Sequence, residues 1–218
     1  MEVHLVLGAP ASGKGSLAKQ ISQKYTLIHL STGDILRDSV SKGTEAGLRA
    51  KACMDKGDLV DDEIVNGIVF ERLRGETKDV LFDGYPRTLG QAKALDGFIS
   101  SMGLSYGHVL YIDVPESVLE SRVLGRLVCS KCGAIYHISR HRPAVEGVCD
   151  TCKGKLVQRQ DDTAQAFKER MDVYRTTYAP MLAHYKGGPN FRQVDGSGLP
   201  LEVFDLISKF YEDCEERV

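Results

Sequence analysis

The stretch that decides the fold occupies residues 2–16 and reads EVHLVLGAPASGKGS. It opens as a continuous apolar run, turns through glycines and small residues, and leads into SLAKQISQKY, which has the composition of a helix. A short apolar run, a glycine-rich turn and a helix in this order are typical of a buried parallel strand that feeds a βα unit. This stretch therefore predicts an α/β fold with a parallel sheet.

The same alternation continues along the chain. Further strands are predicted at TLIHLS (26–31), DVLFDGYPR (79–87), HVLYIDV (108–114) and FRQVDGSG (191–198). Further helices are predicted at TLGQAKALDGFISSMG (88–103), PESVLESRVLGRL (115–127) and PLEVFDLISKFYEDCEE (200–216). Strands that alternate with helices indicate a mostly parallel sheet with helices on both faces.

Two stretches interrupt this alternation. Residues 31–60 have a helical composition broken by glycines, and residues 127–160 are rich in glycine, cysteine and turn-forming residues. We interpret both as insertions into one core. The predicted core domain then comprises residues 1–30, 61–126 and 161–218.

A long helix is predicted directly after the second insertion, in DDTAQAFKERMDVYRTTYAPML (161–182). Asp162 and Gln165 have the spacing of a capping box. Pro180 lacks a backbone N–H and is expected to kink or break the helix. Before the insertion, Arg122 and Arg126 lie four positions apart, which predicts that they share one helix face.

The composition is that of an ordinary globular chain. Of its 218 residues, 42% are hydrophobic and 27% are charged, and the net charge is −2. Dedicated nucleic-acid-binding proteins usually carry a basic excess, so this balance disfavours that class. No apolar run is long enough to span a membrane, and residues 1–8 lead into a motif and not into a cleavable signal. We therefore expect a cytoplasmic protein with reduced thiols.

Residues 8–16 match the phosphate-loop motif G-x-x-x-x-G-K. Small residues allow backbone N–H groups to surround an anion, and the lysine adds a positive charge that can follow a transferring phosphoryl group. The hydroxyl residue comes one position later than in the common motif, so its direct ligation of Mg²⁺ is disfavoured. The predicted ATP-binding loop consists of Gly8, Ala9, Pro10, Ala11, Ser12, Gly13, Lys14, Gly15 and Ser16.

Four cysteines in the second insertion have the spacing C-x₂-C-x₁₆-C-x₂-C. This spacing is typical of a four-thiolate zinc ribbon, and reduced thiols favour metal binding over disulfides. Because four protein ligands leave no open position, the Zn²⁺ is expected to be structural. His137 and His141 are left out of the ligand set. The predicted ligands are Cys129, Cys132, Cys149 and Cys152.

Three motifs together carry a family resemblance. The loop G-x-x-x-x-G-K-G with its following hydroxyl residue, LSTGDILR (30–37) and FDGYPRTLGQ (82–91) closely resemble adenylate kinase, and the resemblance covers essentially the whole chain. It implies a P-loop nucleoside monophosphate kinase fold and a monomer. Residues 31–60 would be the NMP-binding domain, and residues 127–160 a long lid domain with the zinc ribbon.

Two positions depart from the family pattern. Gly90 stands where proline is common, and Ala11 stands where the family loop usually has glycine. Ala11 would matter only if its position needs a positive φ.

The resemblance also implies individual roles. On the donor side it adds Arg122, Arg126, Tyr136 and Gly198 to the ATP-binding loop. On the acceptor side, the residues that would bind AMP are Thr32, Gly33, Arg37, Asp58, Leu59, Val60, Gly84, Tyr85, Arg87, Gln91, Arg159 and Arg170. Asp83 would orient water on Mg²⁺. The residues expected to act on the phosphoryl group in transit are Lys14, Arg87, Arg122, Arg126, Arg159 and Arg170.

The implied activity is the reversible, Mg²⁺-dependent transfer of a phosphoryl group from ATP to AMP, giving two ADP. It requires no catalytic base, because the attacking phosphate oxygen is already largely ionised at neutral pH. One alternative is a related kinase that uses UMP, CMP or GTP. A more distant one is a nucleic-acid-binding zinc-ribbon module. Residues 126–159 contain seven Lys and Arg against two Asp and Glu, and Zn²⁺ with four thiolates adds about two negative charges. The positive charge that remains suits the binding of a nucleoside triphosphate better than that of a long polyanion.

Overall fold

The computed structural model describes residues 1–56, 60–159 and 162–215. Its strands are β1 (Glu2–Gly8), β2 (Ile28–Ser31), β3 (Val80–Asp83), β4 (Ser105–Asp113), β5 (Arg126–Cys129), β6 (Ile135–His137), β7 (Leu156–Val157) and β8 (Phe191–Asp195). Five of them form a sheet in the order β2-β3-β1-β4-β8, in which every neighbouring pair is parallel. These five coincide with the predicted strands, and the predicted α/β fold is confirmed.

Helices connect the strands of this sheet. They are α1 (Lys14–Lys24), α2 (Thr32–Ser41), α3 (Glu45–Lys56), α4 (Asp62–Arg74), α5 (Leu89–Ser101), α6 (Glu116–Leu124), α7 (Ala164–Val173), α8 (Ala179–Tyr185) and α9 (Pro200–Glu215). A π-helical segment, Tyr174–Tyr178, lies between α7 and α8. No helix in the described ranges has both the length and the apolar composition needed to cross a bilayer.

The side chains of β1 enter two hydrophobic cores, one on each face of the sheet. Val3, Leu5 and Leu7 pack into the core that contains Phe82, whereas Val6 packs into the other. Successive side chains of a strand point to opposite faces, so a continuous apolar run is stable only where both faces are covered. The two cores give the physical reason for the apolar run that opens the sequence.

The carboxyl ends of the five parallel strands lie at one edge of the sheet. β1 ends at Gly8, where the phosphate loop begins, and β2 and β3 end at Ser31 and Asp83. Ser31 pairs directly with Asp83, and Asp83 pairs with Val6 of β1. Open α/β sheets bind ligands outside this edge. The fold therefore places the phosphate loop and the two motifs that follow β2 and β3 side by side.

The strands β6, β5 and β7 form a separate antiparallel sheet in the second predicted insertion. Its small core contains Cys129, Tyr136, Cys149 and Leu156. The first predicted insertion contains α2 and α3. The boundaries of the three domains stay a prediction.

Two local predictions around the second insertion are wrong. The side chain of Thr163 caps α7 by accepting a hydrogen bond from the N–H of Ala166, so Asp162 is not the capping residue. Helix α6 ends at Leu124 and Arg126 begins β5, so Arg122 and Arg126 do not share a helix face.

The expected interruption at Pro180 is confirmed. The α-helical pattern of α7 changes to a π-helix at Tyr174, and Pro180 lies in the first turn of α8. Proline lacks the backbone N–H that would continue the helical hydrogen-bond pattern across this junction.

Candidate active site

The phosphate loop curls back on its own backbone between β1 and α1. Gly13 has a φ of 92° and precedes α1, and the N–H of Ser12 donates to the carbonyl of Ala9 at 3.1 Å. Ala11 has a φ of 63°, a left-handed conformation that costs a residue with a Cβ about 1–2 kcal/mol. This position has a positive φ, so alanine in place of the family's usual glycine strains the loop.

Lys14 begins α1, and its Nζ donates to the carbonyl of Ala9 at 3.2 Å. Loss of surrounding water lowers the pKa of Lys14 to about 8, while the carboxylate of Asp83 acts in the opposite direction. Three arginines lower this pKa further: Arg87, Arg126 and Arg170. The lysine therefore lies within electrostatic reach of arginines from both the predicted donor side and the predicted acceptor side.

Asp83 lies directly against the phosphate loop. A Cβ placed on Gly15 would be 2.9 Å from Asp83 Oδ2, so a glycine after the lysine lets this carboxylate approach. His29 Nε2 lies 3.8 Å from the same oxygen. The close approach of Asp83 therefore disfavours a serine or threonine directly after the lysine, at position 15.

Arg122 ties the phosphate loop to the loop that follows β8. Its guanidinium donates to the carbonyl of Ser12 at 3.2 Å, to that of Gly196 at 2.7 Å and to that of Gly198 at 3.3 Å. Burial lowers the pKa of Arg122, and the charge of Arg140 lowers it further. The structure thus brings together the predicted donor-side residues Ser12, Arg122 and Gly198.

Arg126 is paired with an acidic residue at the other end of the insertion. Its Nε donates to Asp162 Oδ2 at 2.8 Å, and its Nη2 donates to Oδ1. The Asp162 side chain is 0% exposed and that of Arg126 17% exposed. Sequence reasoning missed this role of Asp162. The two consecutive aspartates at 161–162, directly after the insertion, were a sequence signal for a partner to a nearby arginine.

Three arginines from separate parts of the chain lie close enough for their charges to influence one another: Arg87, Arg159 and Arg170. Loss of surrounding water lowers the pKa of all three. In addition, Arg126 lowers the pKa of both Arg159 and Arg170, and Arg87 lowers that of Arg170. Cations held close together in a poorly solvated cleft repel one another, and such a cleft is a candidate site for a polyanion.

On the acceptor side, residues of α2 and of the turn after β3 contact one another. The Thr32 hydroxyl donates to the carbonyls of Asp83 and Gly84, at 3.3 and 3.0 Å. Gly84 has a φ of 79°, and a Cβ there would lie 3.0 Å from Arg87 Nη2. Arg87 Nε donates to the Gly84 carbonyl at 2.8 Å. Glycine at this position therefore lets the arginine lie across the backbone.

Arg37 lies in α2 near the same turn. It forms an ion pair with Asp34 at 2.5 Å, and a Cβ on Gly33 would be 3.3 Å from its guanidinium. Val60 is buried in the core just before α4. The predicted acceptor residues Asp58 and Leu59 lie outside the described residues.

Gln91 and Tyr85 are both buried and are held by the protein itself. Gln91 Oε1 accepts a hydrogen bond from the N–H of Arg87 at 2.8 Å, and its Nε2 donates to Asp62 Oδ1 at 2.8 Å. The Tyr85 hydroxyl donates to Asn66 at 2.7 Å. The amide of Gln91 therefore supports the backbone of Arg87, and a contact between Gln91 and a nucleotide base stays a prediction. Sequence reasoning missed Asp62, which is the first residue of α4.

Tyr136 lies inside the small sheet and is 4% exposed. Its hydroxyl accepts a hydrogen bond from the N–H of Asp150 at 2.8 Å and lies 3.5 Å from Cys149 Sγ. Its ring stacks on His141. The structure thus gives Tyr136 a place beside the cysteines, and its contact with ATP stays a prediction.

The four predicted metal ligands converge on one point. The Sγ atoms of Cys129, Cys132, Cys149 and Cys152 all lie within 4.8 Å of one another, with separations of 3.4 and 3.6 Å for two of the pairs. Four thiolates in a tetrahedron around Zn²⁺ are about 3.8 Å apart. The number, type and spacing of these donors fit a closed zinc site.

Two turns of similar form carry these cysteines. In the first, the N–H of Gly133 donates to the carbonyl of Cys129, and in the second, the N–H of Lys153 donates to that of Cys149, at 3.0 and 2.9 Å. Gly133 and Lys153 have φ values of 72° and 59°. A Cβ on Gly154 would lie 2.9 Å from Cys129 Sγ, so glycine there lets the backbone approach the sulfurs.

Comparisons with known proteins agree with this arrangement. The family model described as adenylate kinase matches residues 6–189. An adenylate kinase from Clostridium tetani is 46% identical over 94% of this chain and 95% of its own length. Adenylate kinases from Clostridium novyi and Carboxydothermus hydrogenoformans are 44% and 43% identical, over 95% and 93% of this chain and 97% and 96% of their own lengths. The chain belongs to the adenylate kinase family.

Proposed function

We propose that this protein transfers a phosphoryl group reversibly from ATP to AMP, giving two molecules of ADP. The observation that carries the proposal is the position of Asp83, which ends β3 directly before the acceptor turn and lies against Gly15 of the phosphate loop. Lys14 begins the helix after the phosphate loop, whereas Arg87 follows β3 next to the acceptor turn, and Arg87 lowers the pKa of Lys14. Two phosphate-binding elements whose cations act on each other support an enzyme that holds a donor phosphate and an acceptor phosphate together.

In this proposal, catalysis consists of positioning and charge neutralisation. The loop backbone and Lys14 hold the end of the triphosphate, and Arg87 holds the phosphate of AMP. Arg126, Arg159 and Arg170 surround the phosphoryl group in transit. A loose phosphoryl-transfer transition state spreads charge over its equatorial oxygens, and oriented cations in a poorly solvated cleft stabilise that charge without reorganising.

Mg²⁺ would arrive with the nucleotide, and Asp83 would bind it through water. Carboxylate oxygens are the ligands that Mg²⁺ prefers, and Asp83 lies at the carboxyl edge of the sheet directly beside the phosphate loop. When bound, the ion neutralises part of the charge on the phosphates. The Zn²⁺ of the ribbon would be structural, because four cysteines complete its shell.

The ribbon would act as a lid over the donor site. Its first strand carries Arg126 and its return segment carries Arg159, so both cations enter the cleft from the ends of the insertion. Closure of such an insertion excludes water, which would otherwise hydrolyse ATP. We further propose that the protein is a cytoplasmic monomer that binds ATP, AMP and ADP but neither nucleic acid nor membranes.

A nucleotide panel with purified protein tests the proposal. ATP and AMP with Mg²⁺ should be converted to ADP, measured by chromatography from both directions of the reaction. CMP, UMP and GMP in place of AMP, and GTP in place of ATP, test the related kinase activities. This panel is informative because Gln91 is already bound to Asp62 and Arg87 in the structure. Faster turnover with another base would replace the proposed substrate pair, and no transfer with any pair would overturn the kinase assignment.

A further inference from the structure

The hydroxyl of Tyr178 contacts the first residue of the phosphate loop. The N–H of Gly8 donates to Tyr178 Oη at 2.5 Å, across 170 positions of sequence. Gly8 is the last residue of β1 that pairs with β4, opposite Ile112, whereas the pairing of β1 with β3 ends at Val6 opposite Asp83 and does not reach Gly8. A buried N–H group needs an acceptor. Tyr178 supplies that acceptor at the last residue of β1.

The π-helical segment presents this hydroxyl to the loop. Tyr178 is the last residue of Tyr174–Tyr178 and is 7% exposed. Its ring stacks on that of Tyr174 with centroids 4.4 Å apart, and the Tyr174 hydroxyl lies 3.2 Å from that of Tyr111. A π-turn inserts an extra residue into a helix and changes the direction of the side chains that follow, and such turns are frequent at functional sites. The stacked pair holds Tyr178 in place under the loop.

Tyr178 is also close to the acceptor side. Burial raises its pKa above the ordinary range, and the Gly8 N–H, Arg87 and Asp83 act on it to a smaller extent. Its hydroxyl therefore stays neutral at ordinary pH, close to the charges of Asp83 at the end of β3 and of Arg87 in the turn that follows. The same helical run begins with α7, which carries Arg170.

We propose that Tyr178 is a positioning residue that fixes the start of the phosphate loop and joins it to the helix carrying Arg170. The proposal rests on the proposed kinase function. If the Gly8 N–H loses its acceptor, the loop can shift relative to the arginines around it. A displacement of about 1 Å in a positioning network can lower turnover by about 100-fold.

The variant Tyr178→Phe tests this role because it removes the hydroxyl and keeps the ring. Tyr174→Phe is the matched control: it removes a hydroxyl from the same π-segment that contacts Tyr111 and not the loop. We expect Tyr178→Phe to lower kcat/KM for ATP by about 10- to 100-fold, with a smaller effect on KM for AMP. Tyr174→Phe should stay within about threefold of the parent protein.

Amide hydrogen exchange of Gly8, followed by NMR in the absence of nucleotide, gives a second readout. Protection of the Gly8 amide should fall by at least about tenfold in Tyr178→Phe and stay unchanged in Tyr174→Phe. Equal kinetics in the two variants, or an equally protected Gly8 amide, would overturn the positioning role. A parent protein without ATP:AMP turnover would instead overturn the proposed function, and the exchange measurement would still decide whether Tyr178 holds Gly8.

Discussion

Arg126 and Asp162 close the cysteine-rich insertion at its base with a bidentate ion pair. Arg126 is the first residue of β5, where the insertion begins, and Asp162 lies just before α7, where the chain has returned to the core. The aspartate is fully buried. The pair therefore orients a cation of the candidate active site and links the two ends of the insertion.

Asp162→Ala should be strongly destabilising and should also slow turnover. Removing one partner of a buried ion pair leaves the other charge uncompensated, at a cost of about 3 kcal/mol, and Arg126 loses the contact that aims it. Asp162→Asn should retain more of both properties because it keeps the shape and one acceptor. Thermal unfolding and kcat are the measurements. Asp172→Ala, which removes an exposed ion pair with Arg175, is the control and should cost less than about 1 kcal/mol. Equal stability of the two alanine variants would contradict a stabilising role of the Arg126–Asp162 ion pair.

The pH dependence of ATP use should report Lys14. Its pKa of about 8 means that the substrate-free protein carries this charge below pH 8 and loses it above. Because kcat/KM reports the free enzyme, its value for ATP should fall by about tenfold per pH unit above that point. In the complex the phosphates favour the charged lysine, so kcat should stay level to higher pH. Lys14→Ala should lose about 3–4 kcal/mol of transition-state stabilisation. Its kcat/KM for ATP should not show the decrease above pH 8. An alkaline limb that survives in Lys14→Ala would assign the titration to another group.

Arg87→Ala should raise KM for AMP much more than KM for ATP. The guanidinium lies beside Gly84 at the acceptor turn. Its proposed contact is with the AMP phosphate, so its loss should weaken AMP binding more than ATP binding. Kinetics with each nucleotide varied in turn measure the effect. Arg72→Ala, which removes an exposed arginine of α4 paired with Glu76, should change neither constant. Equal penalties on both nucleotides would mean that the donor and acceptor sites have been confused.

Ala11→Gly should stabilise the protein. Ala11 has a φ of 63°, which costs alanine about 1–2 kcal/mol and glycine almost nothing. Part of this gain is offset by the greater freedom of glycine in the unfolded chain, so the expected net gain is about 0.5–1 kcal/mol. Thermal unfolding without nucleotide measures it. Gly97→Ala in α5, where an added Cβ meets open space, tests the opposite substitution and should also stabilise. A lower melting temperature for Ala11→Gly would rule out strain at this position.

Removal of the metal should loosen the ribbon and leave the chemistry in place. Metal analysis should find about one ion per chain. Cys149→Ser should weaken its retention, whereas His141→Asn, outside the thiol cluster, should retain it. With free Mg²⁺ held constant, metal-free protein in the cold should keep substantial kinase activity but unfold at a lower temperature. Immediate loss of turnover without a loosened ribbon would make the metal part of the reaction.

The sheet was predictable because its signals are local. Each of the five strands is an apolar run, and β1 leads into a loop motif whose glycines and lysine are readable from spacing alone. The convergence of the four cysteines was predictable for the same reason. The signals that predict these features lie within short stretches of sequence, although the strand pairs and the cysteine cluster join distant positions.

The predictions that failed depend on distant partners. Asp162 and Thr163 are both good capping residues, and the choice between them follows from Arg126, which binds the aspartate from 36 positions away. Helical spacing continues through Arg126, yet strand pairing with His137 begins β5 there. The burial of Tyr136, which the sequence did not indicate, likewise depends on Cys149 and Asp150, which it contacts only when the ribbon folds, and its contact with ATP stays a prediction.

The three strands of the ribbon hydrogen-bond with one another and, within the described residues, with no strand of the large sheet. The insertion therefore leaves and rejoins the core at one place, where Arg126 and Asp162 pair, and it can be treated as a closed loop. The entropy of closing a loop grows only with the logarithm of its length, and each doubling costs about 0.6 kcal/mol. An exchange of residues 127–160 for a shorter, metal-free hairpin should therefore change the stability of the large sheet very little. The length and tip charge of this segment can therefore be altered without changing the registry of the five parallel strands.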